Sequence, residues 1–398
     1  MILVDAMQKH DVLLETLFAC LLLIVCEVLR GSDVAAQYHL DGAIRLICMP
    51  SVAKSQLFLA NNNSNSNRSA LSPFGLLKEV SLIFQQLDLQ AAAFSGPRVP
   101  INPEDIGSIT QYTKINHQGA QIAGKDVKSK STIKELRQSL QSIQAKISRF
   151  VDSKKVRECK YRPRLKQPQK QKDELNAAQA MQENLHEQLE HWKTNLDTIS
   201  PSPKEGLNSI KQCATIVMLL SYLTSYVLLS TSLSPDETAY DSHSATFARI
   251  IELSEIFSQQ HLAQDTPLFF TFFRIDMKVV YPLYITALKC RDRTMRYRAV
   301  RLLSMCGREG VWDGRMMASI ARSVITCEEE FAAKLASTSE TDDMAIDSIP
   351  ERARIHGVGI VEMDRERGDV KLICSKKTGM MAVDNQIGWE KVRLHSKF

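Results

Sequence analysis

The chain has 398 residues, of which 44% are hydrophobic and 24% are charged, and its formal net charge is +5. These values allow one large or two ordinary domains, and 16 glycines and 13 prolines exclude a collagen-like or fully disordered protein. Such a mild positive charge does not by itself indicate a nucleic-acid-binding protein.

The chain begins with two apolar helical patterns. The run LFACLLLIVC, residues 17–26, predicts a helix over 11–30, which Gly31 ends because glycine accepts the left-handed cap conformation. Ser32 can cap a second helix that reaches about Cys48, so we predict a helical hairpin. Acidic residues flank the apolar run, and it is shorter than the roughly 20 residues that span a membrane, so neither a signal peptide nor a span is favoured.

A second uncharged stretch extends from Gln212 to Pro235. Its length would permit a membrane span. Its many Ser, Thr and Tyr residues also suit a buried helix of a large helical protein, so both interpretations stay open on composition alone.

The region between these stretches changes in character along the chain. Asn61–Ser69 is polar and of low complexity, Phe74–Leu89 predicts a short apolar helix, and 95–130 carries the prolines and glycines typical of loops. Apolar residues then recur at spacings of three and four within 131–153, which predicts an amphipathic helix. They are Ile133, Leu136, Leu140, Ile143, Ile147 and Phe150.

Residues 154–172 form a basic tract with nine Lys or Arg and one acid. Such a tract could bind a nuclear import receptor or nucleic-acid phosphates, whereas the simpler interpretation is a solvated linker. Pro163 and Pro168 predict an extended conformation, which suits import better than recognition of a DNA groove.

Apolar stripes predict further core helices up to about residue 335. Pro282 falls inside one of them, where proline is unfavourable. The acidic run Glu328–Glu330 favours a solvated helix face over a catalytic pair. After an acidic linker, two alternating runs flank DRERGD, residues 364–369, and predict a β-hairpin. The predicted fold is therefore all-α, a multi-helix domain with a small C-terminal β-hairpin.

Motifs for chemistry are weak. Gly119–Asp126 fits a phosphate-binding loop, except that Asp126 stands where Ser or Thr should contact Mg²⁺. His186 and His191 are five residues apart rather than four, so we expect surface histidines. The nine cysteines include no C-x-x-C pair, which favours reduced structural thiols in an intracellular protein over a zinc site or a disulfide framework.

We therefore predict no enzymatic activity and no catalytic, cofactor-binding, metal-binding or DNA-binding residue. Four residues on apolar or aromatic stretches are predicted to be structural anchors: Phe272, Pro282, Tyr284 and Trp312.

Several segments resemble the regulatory region of fungal binuclear zinc-cluster transcription factors. The first hairpin has an apolar helix ending in an LRG turn, and its second helix carries the pattern HL--G--I. The most specific match is PLYITALKCRDRTMRYRAVRLLSMCGREGVWDG, residues 282–314. The other similar segments are VLLSTSLSPDETAYD at 227–241, FARIIELSEIF at 247–257, IPERARIHGVGIVEMDRERGDVKL at 349–372 and, less specifically, LEHWKTNLDTI at 189–199. The agreement spreads over about 11–375 and is weak across 50–130.

The resemblance implies a soluble helical regulatory domain of a nuclear transcription regulator, whose apolar runs are core helices. The family's DNA-binding part is an N-terminal six-cysteine cluster that holds two zinc ions, and this sequence contains none of it. No metal-binding or base-contacting residue can therefore be carried over. We expect protein partners such as related factors or corepressors, homo- or heterodimers, no direct sequence-specific DNA binding, no membrane association and no cofactor; zinc is expected only with a missing N-terminal cluster.

Two alternatives stay open, namely a truncated gene model of a complete zinc-cluster factor and a membrane-associated helical protein. The expected organisation has five segments. They are a hairpin that starts the regulatory domain (1–50), a variable loop-rich insert (51–130), helices with the basic linker (131–200), core helices (201–335), and an acidic linker, β-hairpin and tail (336–398).

Overall fold

The computed structural model describes residues 2–49, 73–95, 98, 100, 132–153, 156, 168–199, 210–262, 278–338, 349–380 and 387–398. The chain divides into two compact units. The first comprises residues 1–94 and 98–131, and the second comprises 95–97 and 132–398.

The first unit begins with the predicted helical hairpin. Helix α1 is Ile2–Arg30 and helix α2 is Asp33–Ile47. Gly31 lies between them with a φ of 82°, so the left-handed cap is confirmed. The N–H of Ser32 donates to the carbonyl of Glu27 at 2.8 Å, which completes the helix end. Ser32 makes no side-chain cap, contrary to the prediction.

One apolar stripe of each hairpin helix is buried. The buried residues are Leu14, Leu17, Ile24 and Val28 on α1 and Ala36, Leu40, Ala43 and Ile47 on α2. Helix α3, Pro73–Ser95, belongs to the same unit. Arg98 joins α2 to α3, because its guanidinium lies 2.6 Å from Asp41 and 2.6 Å from the buried Asp88.

The second unit opens with three helices around one apolar core. They are α4 (Ile133–Val151), α5 (Pro168–Ile199) and α6 (Ile210–Ser230). A capping box of Thr132 and Glu135 begins α4. The buried indole of Trp192 donates to the carbonyl of Leu136 at 2.8 Å and stacks on Tyr222. The apolar stripe predicted for 131–153 faces this core, which confirms it.

The extended conformation predicted at Pro168 is wrong. Pro168 is the first residue of α5. Proline suits that position because its φ is already helical and a first-turn N–H has no helical acceptor in any case. The rest of the basic tract, apart from Val156 and residues 169–172, lies outside the described residues, as do Asn61–Ser69, the Gly119–Asp126 motif and Phe272.

The rest of the second unit is a helical layer followed by a small sheet. Its helical elements are a 3₁₀ helix (Glu237–His243), α7 (Ser244–Leu262), α8 (Val280–Lys289), α9 (Arg293–Met305) and α10 (Gly314–Thr338). The two-residue strands β1 (Arg308–Glu309) and β2 (Trp312–Asp313) form a hairpin between α9 and α10, with Gly310 at its turn at a φ of 60°.

Pro282 is in the first turn of α8 and not in its interior, which corrects the prediction. Backbone N–H groups of a first turn have no helical acceptor, so proline removes nothing there. The preceding donors, Lys278, Val279 and Val280, instead donate to the buried carboxylate of Glu309 at 2.7–3.2 Å. The β1–β2 hairpin thereby fixes where α8 begins.

The C-terminal segment forms a three-stranded antiparallel sheet in the order β3–β4–β5. Its strands are β3 (Ile355–Asp364), β4 (Asp369–Met380) and β5 (Ile387–Lys397). The predicted β3–β4 hairpin is confirmed, with Gly368 at a φ of 67°, whereas β5 occupies the region expected to be a tail. The chain is thus mostly helical with a small C-terminal sheet, as predicted.

Two helices within the described part are long and apolar enough to cross a membrane by length and composition alone. Residues 11–30 have a mean hydropathy of 2.5 and are 22% buried, and residues 211–230 have a mean hydropathy of 1.8 and are 50% buried.

Candidate functional site: a buried charge network

The second unit contains a cluster of charged side chains enclosed by helices and by the start of the sheet. We call it the charge network. Its members are Glu237, Asp241, Lys289, Arg291, Arg296, Glu328, Glu351, Arg354 and His356.

Glu328 of α10 is the centre of the network, and its side chain is fully buried. One carboxylate oxygen lies 2.6 Å from a guanidinium nitrogen of Arg296. The other accepts from Arg291 at 2.9 Å and from the backbone N–H of Ile355 at 2.6 Å. Glu328 therefore connects the helical layer to the first residue of the sheet.

Glu237 is the second buried carboxylate, with its side chain 4% exposed. Lys289 lies 2.8 Å from it and Arg291 lies 3.3 Å from it. Arg291 thus bridges the two acids Glu237 and Glu328. Burial alone would raise the pKa of Glu237, but the ion pairs with Lys289 and Arg291 outweigh burial and hold this pKa below its ordinary value.

The segment before β3 closes the network. Arg354 forms a fork with both carboxylate oxygens of Asp241, at 2.7 Å each. The carboxylate of Glu351 accepts the backbone N–H groups of Glu237 and Thr238 at 3.1 and 3.0 Å. Glu351 therefore caps the 3₁₀ helix from more than a hundred residues away in the chain.

His356 lies beside the same carboxylate, with its Nε2 2.9 Å from an oxygen of Glu351. Burial would raise the pKa of Glu351, but the contact with His356 and the two backbone donors lower it to about 2. The edge of the Trp389 ring faces His356, with centroids 5.1 Å apart. This contact links β5 to the network.

This arrangement suits structural linkage better than catalysis. A general base needs a carboxylate that a substrate can reach. The carboxylates of Glu237 and Glu328 are buried, and each is paired with two cationic side chains. A cavity of about 190 Å³ lies alongside, lined in part by Arg291, Arg354 and Cys290. Burial raises the pKa of the Cys290 thiol, so it is a poor nucleophile.

The structure places the predicted anchor residues and histidines in different environments. Trp312 is buried and packs edge-on against Tyr281, and Tyr284 lies 5.6 Å from the same ring, so both occupy anchor positions. His191 is exposed as expected, but His186 is half-buried against Tyr226.

The prediction that Glu328–Glu330 form a solvated face is wrong for Glu328. Its stripe neighbours Val324 and Cys327 are buried with it, and its charge is compensated inside the protein. The sequence signal that was missed is a charged residue on the apolar face of a helix. Arg296 shows the same signal on α9, where it shares the buried face with Ala299 and Val300.

The next question is whether cysteines and other potential metal ligands form a group among the residues that the structure describes. Within the described ranges, no three His, Cys, Asp or Glu side chains are placed as metal ligands would be. The described cysteines are all free thiols.

The described part of the chain is mostly helical, and buried ion pairs connect its helices to the C-terminal sheet. No protein-family profile matches the chain, and neither a curated protein nor a solved structure matches it.

Proposed function

We propose that this chain is the regulatory domain of a nuclear transcription regulator similar to the fungal zinc-cluster factors. In this proposal it acts through protein contacts, as a homo- or heterodimer or with a corepressor, and it catalyses no reaction. It contributes no base-reading residues of its own, and any zinc would belong to a six-cysteine cluster outside these 398 residues.

The observation that carries the proposal is the origin of the charge network. Three of the six segments that resemble the regulatory region of that family supply every member of the network except Glu328. Segment 227–241 supplies Glu237 and Asp241, segment 282–314 supplies Lys289, Arg291 and Arg296, and segment 349–372 supplies Glu351, Arg354 and His356.

These three segments are far apart in the chain. Their meeting at one set of ion pairs supports a single shared architecture. The saturated, sealed acids of the network also favour a binding scaffold over an enzyme.

A reporter assay tests the proposal. The chain is fused to an unrelated DNA-binding domain in a fungal cell, and transcription from a promoter carrying its site is compared with that of the DNA-binding domain alone. We expect a change of about fivefold or more in either direction, since recruited regulatory domains act through partner contacts. An unchanged reporter, with the fusion shown to occupy the promoter, would contradict the proposal.

Matched variants make the assay specific. Glu328→Gln removes the central charge of the network, whereas Glu330→Gln makes the same chemical change at an exposed position two residues away. The first should lose the regulatory effect or the protein itself, and the second should retain both. If the two variants show equal reporter activity at equal protein levels, the regulatory function does not depend on the charge network.

Sequencing the transcript upstream of Met1 separates the two forms of the proposal. An open frame with six cysteines at zinc-cluster spacing would make this chain part of a complete DNA-binding factor. A message without that frame would leave a regulator that works through partners alone.

One observation favours a second candidate, a membrane-associated protein. Residues 11–30 have the higher mean hydropathy of the two apolar helices, 2.5, yet only 22% of this stretch is buried. Against a span, the uncharged run 16–26 covers only about 17 Å of helix, and the hydrocarbon core is about 30 Å thick. An alkaline wash of cell membranes decides: retention in the lipid pellet supports this candidate, and release contradicts it.

A further inference from the structure

A cavity of about 390 Å³ lies where α10 meets the end of β5. None of the residues that line it belongs to the charge network. We call it the serine–arginine cavity. Its polar lining includes Arg315, Ser319, Arg322 and Ser323 of α10 and Ser396 and Lys397 of β5.

The cations of this cavity are weakly paired within the described part of the chain. Arg315 and Arg322 are exposed, and neither forms an ion pair with any residue that the structure describes. Lys397 reaches its nearest carboxylate, Asp369, only at 4.0 Å, and that carboxylate is shared with His395 at 3.2 Å. Elsewhere in this unit arginines such as Arg296 and Arg354 are paired at 2.6–2.7 Å.

The spacing on α10 directs the two guanidinium groups to one place. Positions 315, 319, 322 and 323 lie on one face of the helix, since they are separated by four, seven and eight residues. Two helical turns, about 10.5 Å, separate Arg315 from Arg322, a span that two long side chains can close around one anion lying over Ser319.

The floor of the cavity is a connected set of hydroxyl groups. Ser319 Oγ lies 2.5 Å from Ser396 Oγ, and Ser323 donates to Ser396 at 3.0 Å. Ser319 also donates to the backbone carbonyl of Lys397. Ser396 is buried, so these contacts fix the β5 end against α10. Each hydroxyl group has one proton, and the protons of Ser319 and Ser323 are already donated to Lys397 and Ser396, so the donors left for an oxyanion are those of the arginines and of the Lys397 ammonium group.

We propose that the serine–arginine cavity binds the phosphate group of a small phosphomonoester. Arginine forks match phosphate oxygens in pairs, and three cations compensate a dianion better than a singly charged carboxylate. The cavity volume is within the range of small-molecule sites, and its open side leaves room for the organic part of the ligand. This inference does not depend on the proposed regulatory function.

Isothermal titration of the full chain with inorganic phosphate and with phenyl phosphate, at constant ionic strength, tests the inference. Acetate is the control anion. We expect saturable binding of both phosphates and none of acetate, and we expect Arg315→Gln/Arg322→Gln to weaken phosphate binding by about tenfold or more. The two arginines are exposed, so the variant should fold, and its far-UV circular dichroism checks this.

Arg301→Gln is the matched control. Arg301 is an exposed arginine on α9 outside the cavity lining, and its side chain forms no ion pair with the described residues. We expect its phosphate affinity to stay within about twofold of the unmodified protein. Equal losses in both variants would mean attraction by overall charge, and either that result or an absence of binding up to about 20 mM phosphate overturns the proposal.

Discussion

Replacing Glu328 by glutamine tests the charge network at its centre. Glutamine has nearly the same shape but no charge. Its one carbonyl oxygen can still accept from Arg291 and from the N–H of Ile355, which now meet Glu328 at 2.9 and 2.6 Å. The other side-chain atom becomes an NH₂ donor 2.6 Å from the Arg296 guanidinium, where donor faces donor.

The main cause of the loss of stability should therefore be Arg296, which loses its buried carboxylate partner. Arg291 keeps Glu237 as a second carboxylate at 3.3 Å, whereas the Arg296 side chain keeps, among the described residues, an uncharged partner, the carbonyl of Ala287 at 3.1 Å. Removing one partner of a buried ion pair costs about 3–5 kcal/mol, because the remaining charge stays buried without compensation. We expect a decrease of this size in the free energy of unfolding.

Urea unfolding followed by tryptophan fluorescence measures this decrease. The three tryptophans, Trp192, Trp312 and Trp389, all belong to the second unit, so their signal reports that unit and not the hairpin of α1 and α2. Glu330→Gln should stay within about 0.5 kcal/mol of the unmodified protein.

A rescue variant makes the reasoning stricter. Arg296→Met in the Glu328→Gln background removes the uncompensated cation and should recover about 1–2 kcal/mol, because a methionine of similar length fills the site without a charge. If Glu328→Gln and Glu330→Gln unfold within about 1 kcal/mol of each other, water or rearrangement compensates Arg296, and the argument from burial is refuted.

Three further predictions concern other parts of the structure. The pKa of Glu351 is about 2 against an ordinary 4.5, so its stabilising contribution is complete above pH 4.5 and is lost as the pH falls towards 2. Glu351→Gln should therefore flatten the decline of stability in that interval, which urea titrations at stepped pH measure; an unchanged decline would assign it to other acids. Gly314→Ala would place a methyl group 2.6 Å from the backbone oxygen of Cys306 and should cost about 2 kcal/mol or more. Gly42→Ala meets nothing within 4 Å and should stabilise by about 0.5–1 kcal/mol; thermal melts by circular dichroism compare the two, and equal melting temperatures would contradict the steric argument. Glu309→Ala should cost about 2 kcal/mol by leaving three backbone donors without an acceptor, and a loss below about 0.5 kcal/mol in the urea assay would show that water replaces the carboxylate.

The sequence predicted those parts of the fold that depend on local patterns. The stripe from Leu136 to Phe150 and the glycine at position 31 each need only neighbouring residues to be recognised, because helix periodicity and the left-handed cap are local properties. The β3–β4 hairpin was recognised for the same reason, since alternation on both sides of a turn is visible within about 25 residues.

Features that depend on distant partners were not predictable in this way. Glu328 was interpreted as solvated because acidic residues on a helix usually face water, and its partners come from the α8–α9 connection, α9 and β3. Strand β5 was missed because charged residues interrupt its alternation, although it pairs along β4 from Asp369 to Met380. Pro282 was misplaced because the start of α8 is set by Glu309, which follows it in the chain.

The long reach of Glu351 sets an order of events during synthesis. The carboxylate accepts from a backbone N–H 114 residues earlier, so the 3₁₀ helix stays without its cap until residue 351 has left the ribosome. Helices α4 to α6 and their core can form before that moment, because all their contacts are already present in the nascent chain. Closing so long a loop is entropically costly, and contacts of this range form slowly. Lys289, Arg291 and Arg296 do not depend on that step, because their partners Glu237 and Glu328 precede residue 351 in the chain. The contacts that form last are those of Glu351, Arg354 and His356, so the segment before β3 completes the charge network after its helices are in place.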